Sequence, residues 1–332
     1  MPTTPPVRLI RLGLAAPLRT QAVYHAVARL LGEQSADTVI LTQPSAPYVC
    51  LGYHQSLDDH FNRQACADRN LPIVRRLIGG GATYLDSDQF FYQFIFHHSR
   101  VPATPARMYA YFLETPLRVL VNLGFAADLR EDNELEVDGR RVAGIGGGRL
   151  DEAAVVVGNF LFDFDYAAMS AVWASPWPAY GELAAEALSG ALFTLWSRQP
   201  GLAFDGVESA FIAALAPALG REIEPGRLTP DEEALAARLE TELTAPEHLA
   251  QFSPRGSGNK PPLKIAAGLY LHAEHFAADD GEIRGAFRVR EGLIEKCVIE
   301  RLAGDRWATV DSDLAGVPIK QWRQSMEAGA SV

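Results

Sequence analysis

Hydrophobic residues in the first half of the chain recur at two different spacings. Apolar runs predict strands over Val7–Leu12, Phe90–Phe96 and Ala153–Phe162. Apolar residues at helical spacing predict helices over Leu18–Leu31 and Pro105–Leu123. Strands and helices therefore alternate through this half of the chain.

Shorter patterns predict further elements between these. A Ser and an Asp at cap spacing begin a helix, an apolar strand leads into a glycine run, and an Asp-Gly turn joins a hairpin. A Thr-Pro-Asp-Glu sequence begins a later helix. In chain order these elements are Thr38–Thr42, Tyr48–Gly52, Ser56–Asp68, Leu71–Leu77, the hairpin of Leu135–Val137 with Arg141–Gly144, and the helix that begins at Thr229.

A break in composition at Phe252–Pro262 divides the chain, because Pro, Gly, Ser and Asn crowd together there. Beyond it, Leu263–Phe276, Gly281–Arg290 and Leu293–Arg301 are predicted as strands and turns of a small domain. The 332 residues fit two domains at about 150 residues per domain. We predict a large domain over 1–250, a linker over 251–262 and a small C-terminal α/β domain over 263–332.

Composition and charge narrow the class of protein. The chain is 48% hydrophobic and 21% charged, which is ordinary globular composition, and its net charge of −11 argues against a nucleic-acid binder. No uncharged apolar run reaches the roughly 18 residues of a membrane helix, and Met1–Pro6 does not resemble a signal peptide. Three cysteines at unrelated spacings predict neither a disulfide framework nor a zinc knuckle. We expect a cytoplasmic protein with no membrane or nucleic-acid partner.

Lysine is confined to the end of the chain. A mechanism that needs an ammonium group therefore cannot use the first 259 residues. The lysines are Lys260, Lys264, Lys296 and Lys320.

A glycine run follows the strand predicted at Leu71–Leu77, in the sequence Arg75-Arg76-Leu77-Ile78-Gly79-Gly80-Gly81. Three glycines let the backbone approach a ligand closely, and their N–H groups can form an anion-binding concavity. An arginine fork matches phosphate or carboxylate, and strand alternation lets only one of the two arginines reach a ligand directly. Taken alone, such a run is more often a flexible surface turn, and it lacks the lysine of a P-loop.

The surrounding motifs change that interpretation, because together they resemble the lipoate-protein ligase A family. Both of that family's signatures have a counterpart at family-like spacing, and the region after the break is similar to the accessory domain of its longer members. The matching segments are Tyr48–Gln55, Leu71–Arg76, Gly79–Asp86, Asn133–Gly144, Leu263–Gly268 and Gly281–Gly285.

The resemblance implies an α+β fold, a mixed β-sheet flanked by helices, shared with biotin ligases and class II synthetases. It implies activation of lipoate or octanoate with ATP and Mg²⁺ to an acyl-adenylate. The acyl group then passes to a lysine of a lipoyl domain, of the 2-oxoacid dehydrogenase E2 or glycine cleavage H protein type. The ligand-binding residues that it implies are Arg75, Arg76, Gly79, Gly80, Gly81, Ala82, Asp86, Asn133, Gly144, Gly146 and Arg149.

The sequence departs from the family at the catalytic position, where Arg141 occupies the place of the expected lysine. Arginine is cationic and can stabilise charge that develops during transfer, but it cannot lose its proton and act as a base. The cysteines of the thioester-forming transferases fall near Ala126 and within Ala153–Val156, and the usual His-Gly reads Val157-Gly158. The usual His-Asp after the glycine run reads Leu85-Asp86.

Other candidate groups have weaker signals. Cys50 lies next to the first signature, yet a buried packing role is favoured for it, and for Cys66 and Cys297 as well. The second glycine run, Gly144–Arg149, fits either a second backbone cradle or a loose hairpin. His272 and His275 are predicted to point to opposite faces of a strand, and His97-His98 to lie at the solvated end of one, so no metal site is predicted.

Three functions remain open at this point. The first is an ATP-dependent lipoate-protein ligase in which Arg141 replaces the lysine. The second is a non-catalytic protein that binds lipoyl or acyl-adenylate groups. The third is an ATP-independent lipoyl or octanoyl transferase that uses Cys50.

Overall fold

The computed structural model describes residues 5–252, 260–278 and 281–329. Most of the predicted linker, 253–259, lies outside the described residues. The strands are β1 Val7–Ala15, β2 Thr38–Pro44, β3 Tyr48–Leu51, β4 Ile73–Arg75, β5 Thr83–Leu85, β6 Gln89–His97, β7 Ala127–Arg130, β8 Glu134–Val137, β9 Arg140–Arg141, β10 Ala143–Leu150, β11 Ala153–Leu161, β12 Ile223–Pro225, β13 Lys260–Ala266, β14 Leu269–Ala278, β15 Gly281–Arg290, β16 Leu293–Ala303 and β17 Arg306–Val310. The helices are α1 Pro17–Leu30, α2 Leu57–His60, α3 Arg63–Asp68, α4 Pro105–Asn122, α5 Tyr166–Val172, α6 Pro178–Ala191, α7 Leu195–Arg198, α8 Phe204–Leu219, α9 Pro230–Glu242, α10 Pro246–Leu249 and α11 Trp322–Gly329.

The chain divides into two compact units, neither of which is one continuous segment. The first unit contains residues 1–55, 64–165 and 192–252, and the second contains 56–63, 166–191 and 253–332. Each unit is built around its own main sheet.

The main sheet of the first unit has six strands in the order β10-β11-β6-β2-β1-β12. β1 pairs in parallel with β2 and β12, whereas the other neighbours are antiparallel. The period of two along β6 sends Tyr92 and Phe94 into a core with α4 and α8, and sends Phe91 and Ile95 into a core with α1 and α9. Helices therefore cover both faces of a mixed sheet, which confirms the predicted α+β fold.

Two small three-stranded sheets, β4-β3-β5 and β7-β8-β9, complete the first unit. The predicted turn between β8 and β9 is confirmed, since Asp138 and Gly139 have φ of 53° and 69°, as a tight hairpin turn requires. The helix start at Thr229 is confirmed too: its hydroxyl accepts from the Glu232 amide, and the Glu232 carboxylate accepts from the Thr229 amide.

The second unit contains the antiparallel sheet β13-β14-β15-β16-β17. The segment Leu263–Phe276, predicted among the strands and turns of the small domain, lies in the β13-β14 hairpin, which turns at Gly268 with a φ of 67°. The single helix predicted over Ser56–Asp68 is wrong. It is interrupted at Phe61, whose buried side chain and extended backbone belong to a bridge with Trp173.

In the described part of the chain, none of the helices combines the length and the apolar composition of a membrane-spanning segment.

Candidate functional site

The glycine loop, residues 79–81, packs against two other backbone segments. The amide of Gly79 donates to the carbonyl of Gly147 on β10 over 3.2 Å. A Cβ on Gly52 would lie 2.0 Å from the Gly80 carbonyl oxygen, and a Cβ on Gly146 would lie 2.8 Å from the Gly79 carbonyl oxygen. Only glycine fits at such contacts, so three separate segments meet here through their main chains.

Arg76 holds this loop from the inside. Its Nε donates to the Gly79 carbonyl over 3.1 Å and its Nη2 to the Gly81 carbonyl over 2.9 Å. Its Nη1 lies 3.5 Å from the Sγ of Cys50 on β3. The guanidinium therefore places a positive charge directly beneath the exposed loop residues Gly80 and Gly81.

Arg75 points the other way and is completely buried. Its guanidinium donates to main-chain carbonyls on two sides: Tyr53 (2.9 Å) and Gln55 after β3, and His248 (2.9 Å) and Leu249 (2.7 Å) in α10. Strand alternation predicted that the two arginines would diverge, and they do. Arg75 anchors the segments that surround the loop, and its predicted ligand contact stays a prediction.

His25 on α1 holds Leu77, two residues before the glycine loop, and no sequence motif indicates this role. The Leu77 amide donates to Nε2 of His25 over 2.9 Å, and Nδ1 of His25 donates to the Gln21 carbonyl over 2.7 Å. Complete burial lowers the pKa of His25 to about 3. The ring is therefore neutral at physiological pH and keeps both hydrogen bonds.

Arg141 lies on β9, opposite Glu136 of β8, and its Nη2 donates to the carboxylate of Glu134. The Glu134 side chain is completely buried, whereas the Arg141 side chain is 24% exposed. A buried carboxylate thus orients the cation at the position where the resemblance expects a catalytic lysine.

A second set of hydrogen bonds joins Asp86 to Gly144. Gln89 donates to Asp86 Oδ1 over 3.3 Å, Asn159 donates to Gln89 Oε1 over 2.5 Å, and the Gly144 amide donates to Asn159 Oδ1 over 2.8 Å. Burial, with smaller contributions from Asp88 and Asp165, raises the pKa of Asp86 to about 6. Two predicted ligand residues are therefore connected through Asn159, which sequence reasoning did not single out.

Asn133 and the loop are connected through Tyr109 on α4. The Tyr109 hydroxyl forms a hydrogen bond with the Asn133 side chain. Burial raises the pKa of Tyr109, and the charge of Arg76 and the hydrogen bond with Asn133 partly oppose this rise. A Cβ on Gly147 would lie 2.9 Å from this hydroxyl. Tyr109 was also missed, because its helical spacing marks it only as a core position.

The second glycine run is not a loose hairpin. Gly144–Arg149 lies in the regular strand β10, which pairs with β11 along its whole length, and its predicted ligand contacts stay predictions. Its glycines permit the close approach of the glycine loop and of Tyr109. Arg149 is exposed towards the far end of this strand.

A known protein family matches the part of the chain that contains these residues. The model of the lipoyl protein ligase A/B catalytic domain matches residues 16–184, just over half of the chain. The chain belongs to this family. The matched range contains the glycine loop, Asn133, Arg141 and β10.

The relatives of this family member are distant. Lipoate-protein ligase LplJ of Bacillus subtilis (strain 168) is 29% identical over 120 residues, which span 36% of this chain and 34% of that enzyme's length. The bi-partite lipoate protein ligase of Thermoplasma acidophilum, from a study of that enzyme and its E2 lipoyl domain, has a TM-score of 0.68 at 19% identity. It covers 76% of this chain and 99% of its own. A lipoate-protein ligase A bound with ATP has a TM-score of 0.63 at 18% identity and covers 74% and 99%. The structural similarities show the shared fold.

The cysteines of this family member are packing residues, as predicted. Cys50 is 1% exposed and lies 3.8 Å from Gln21 Oε1. Cys66 is buried, and burial raises its pKa to about 11. Burial also raises the pKa of Cys297. A raised pKa keeps a thiol from forming the nucleophilic thiolate at neutral pH.

The lysines closest to the predicted linker belong to the second unit. Lys264 lies on β13, and the side chain of Lys260 lies outside the described residues.

Proposed function

We propose that the protein is a lipoate-protein ligase that uses Arg141 in place of a lysine. A carboxylate oxygen of lipoate attacks the α-phosphorus of Mg²⁺-bound ATP, and pyrophosphate leaves. The ε-amine of a lysine on a lipoyl domain then attacks the acyl carbon, AMP leaves, and the amine loses its proton to solvent. Membership of the lipoyl ligase A/B family carries this proposal, because the matched range contains both the glycine loop and Arg141.

Charge placement supports the assignment of roles. Arg76 puts a cation beneath the loop, where the phosphate of an acyl-adenylate would bind, and the glycine backbone can approach that phosphate closely. Arg141, oriented by Glu134, would stabilise negative charge at the acyl carbonyl during transfer. Because arginine keeps its proton, the attacking amine must be deprotonated by another group or by solvent.

The test is a transfer assay on the full chain. The protein is incubated with lipoate, ATP, Mg²⁺ and an apo-lipoyl domain, and the domain is weighed by mass spectrometry. We expect an ATP-dependent gain of one lipoyl mass, reduced about 10²–10³-fold in Arg141→Ala. Arg140→Gln is the matched control, because Arg140 is the neighbouring arginine and lies over the Phe193 ring. Absence of any mass gain at high enzyme concentration would contradict the proposal.

The Arg141–Glu134 ion pair also favours a second candidate, a protein that binds the acyl-adenylate without transferring it. The carboxylate partly neutralises the cation that transfer requires. Tight binding of lipoyl-adenylate without turnover, together with turnover restored in Arg141→Lys, would identify this second function.

A further inference from the structure

Two histidines and a glutamate converge at the end of β6, apart from the glycine loop. His97 is the last residue of β6, His98 begins the 3-10 turn His98–Arg100, and Glu152 lies in the turn between β10 and β11. Nε2 of His98 lies 2.9 Å from Oε2 of Glu152, and Nε2 of His97 lies 3.6 Å from the same oxygen. One ligand atom from each residue lies within 4.8 Å of the other two.

The backbone explains how adjacent histidines come to share a side. In a continued strand their rings would point to opposite faces. The 3-10 turn that begins at His98 rotates the second ring, and the two imidazoles stack with centroids 4.7 Å apart and planes 28° apart. The His98 amide donates to the Glu152 carbonyl over 2.9 Å, which fixes the glutamate beside them.

The ring and the backbone of His97 are both held in place. His97 is 5% exposed, and its amide donates to Oδ1 of the buried Asp37 over 2.7 Å. Its Nδ1 lies 2.7 Å from the hydroxyl of Ser99 and accepts from the Ser99 amide over 3.3 Å, which places the ring proton on Nε2, beside Glu152. A metal ion at Nε2 requires the other tautomer, in which Nδ1–H donates to the Ser99 hydroxyl. Metal-binding histidines characteristically donate their second ring N–H to such a partner.

The spacing and the donor set fit a zinc-type ion. Ligand atoms around a tetrahedral zinc ion lie about 3.3 Å apart. The separations of the Glu152 oxygen from Nε2 of His98 and of His97, 2.9 and 3.6 Å, lie on either side of that distance. Two imidazoles and one carboxylate form a three-ligand zinc set that leaves a fourth position for water. The side chains of His98 and Glu152 are 35% and 59% exposed, so an ion can enter from solvent.

We propose that His97, His98 and Glu152 bind one divalent transition-metal ion of the zinc class, with its fourth position open to water. The three residues share no member with the candidate ligase site. The metal site therefore stands or falls independently of the proposed ligase activity.

The experiment measures metal binding by the full chain. The protein is stripped with a chelator and titrated with Zn²⁺ in competition with a chromophoric chelator. We expect one equivalent per chain, and at least tenfold weaker binding in His98→Gln and in Glu152→Gln. Ser99→Ala removes the hydroxyl that can accept from Nδ1–H and leaves the Ser99 amide in place, so it should weaken binding about tenfold. Zn²⁺ should also raise the thermal midpoint of the wild type and not that of Glu152→Gln.

His275→Gln is the matched control. His275 and Glu282 form another exposed histidine–glutamate pair, with Nε2 and Oε2 3.2 Å apart, so this variant should bind Zn²⁺ as the wild type does. Replacement of zinc by Co²⁺ provides a second readout, since a four-coordinate cobalt site gives strong visible bands that Glu152→Gln should lose. Two results would overturn the proposal: less than one equivalent bound, or equal affinity in the wild type, His98→Gln and Glu152→Gln. Either would assign Glu152 to a hydrogen-bonded contact with the two imidazoles.

Discussion

Arg75 shows how one side chain can organise the surroundings of a binding loop. Its charge is buried, and main-chain carbonyls from two distant segments accept its N–H groups. Its guanidinium carbon lies 5.3 Å from the centre of the Phe252 ring, which adds a cation–π contact. A planar donor with five N–H groups is required to reach both segments at once.

We therefore expect Arg75→Lys to lower the free energy of unfolding by about 2–4 kcal/mol, because lysine leaves several buried carbonyls without a donor. Urea denaturation followed by fluorescence measures this change. Arg118→Lys is the control, since Arg118 and Glu114 form an exposed i,i+4 pair and should change stability by about 0.5 kcal/mol or less. A loss in Arg75→Lys no larger than in Arg118→Lys would contradict the anchoring role.

Asp86 gives a prediction for pH. Its pKa is raised from 3.8 to about 6 in the folded protein, so between these values the folded state binds more protons than the unfolded state. Its contribution to stability is therefore present below about pH 4 and is lost as the pH rises through 6. Asp86→Asn should remove this part of the pH dependence, about 2–3 kcal/mol, and should be more stable than the wild type at pH 7. Unfolding midpoints from pH 4 to 8 measure the difference, and parallel profiles would contradict it.

At the scale of elements, β10, the glycine loop and the end of β3 come into contact because glycines, which have no side chain, lie where these segments meet. We expect Gly52→Ala to displace the loop, because the new Cβ would lie 2.0 Å from a main-chain oxygen that has no rotamer to adjust. Both lipoyl transfer and stability should fall, the latter by about 2 kcal/mol or more. Transfer assays and thermal melts test this together.

Gly206→Ala provides the control for that substitution. Gly206 lies in α8, and a Cβ there would meet no atom within 4 Å. Alanine should stabilise the helix by about 0.5–1 kcal/mol and leave transfer unchanged. Equal effects of the two substitutions would show that steric contact at Gly52 does not position the loop.

The sequence predicted those parts of the fold that depend on local periodicity. The strand around Phe94, the helix that becomes α1 and the cap at Thr229 each follow from spacing that tertiary contacts reinforce. The interrupted helix at Phe61 was not predictable in this way, because its cause is pairing with Trp173, more than 100 residues away along the chain.

The candidate site was predictable only where a motif carried it. The glycine loop and Arg141 stand in recognisable motifs, whereas Tyr109, Asn159 and His25 contribute through contacts with distant segments. Each of these three sits at an ordinary core position in its own element, so nothing local distinguishes it. The stacked imidazoles of His97 and His98 were missed for a related reason, since a turn replaces the expected continuation of the strand.

At the scale of the whole molecule, the second unit is assembled from three separate segments. Helix α6 packs against β13, β15 and β16, and its Glu186 pairs with Arg288 and Lys296. Residues 166–191 therefore cover part of the C-terminal sheet. We infer that the small domain predicted over 263–332 is incomplete without them.

A fragment of residues 260–332 should consequently lack a cooperative thermal transition, because the face of its sheet that α6 covers is exposed. The same fragment joined to residues 166–191 through a flexible linker should regain one. Far-UV circular dichroism during heating compares the two. A sharp transition in the short fragment would show that the five strands and α11 suffice.

The hydrogen bonds of His25 have a spectroscopic consequence. Its Nδ1 must carry the proton, because its partner is a carbonyl, and its Nε2 must be bare, because its partner is the Leu77 N–H. This is the less common tautomer of a neutral imidazole in water, and here the hydrogen bond from Leu77, just before the glycine loop, stabilises it. The ¹⁵N shifts of one buried ring thus report on the loop above it, and they should change whenever a ligand draws Leu77 away.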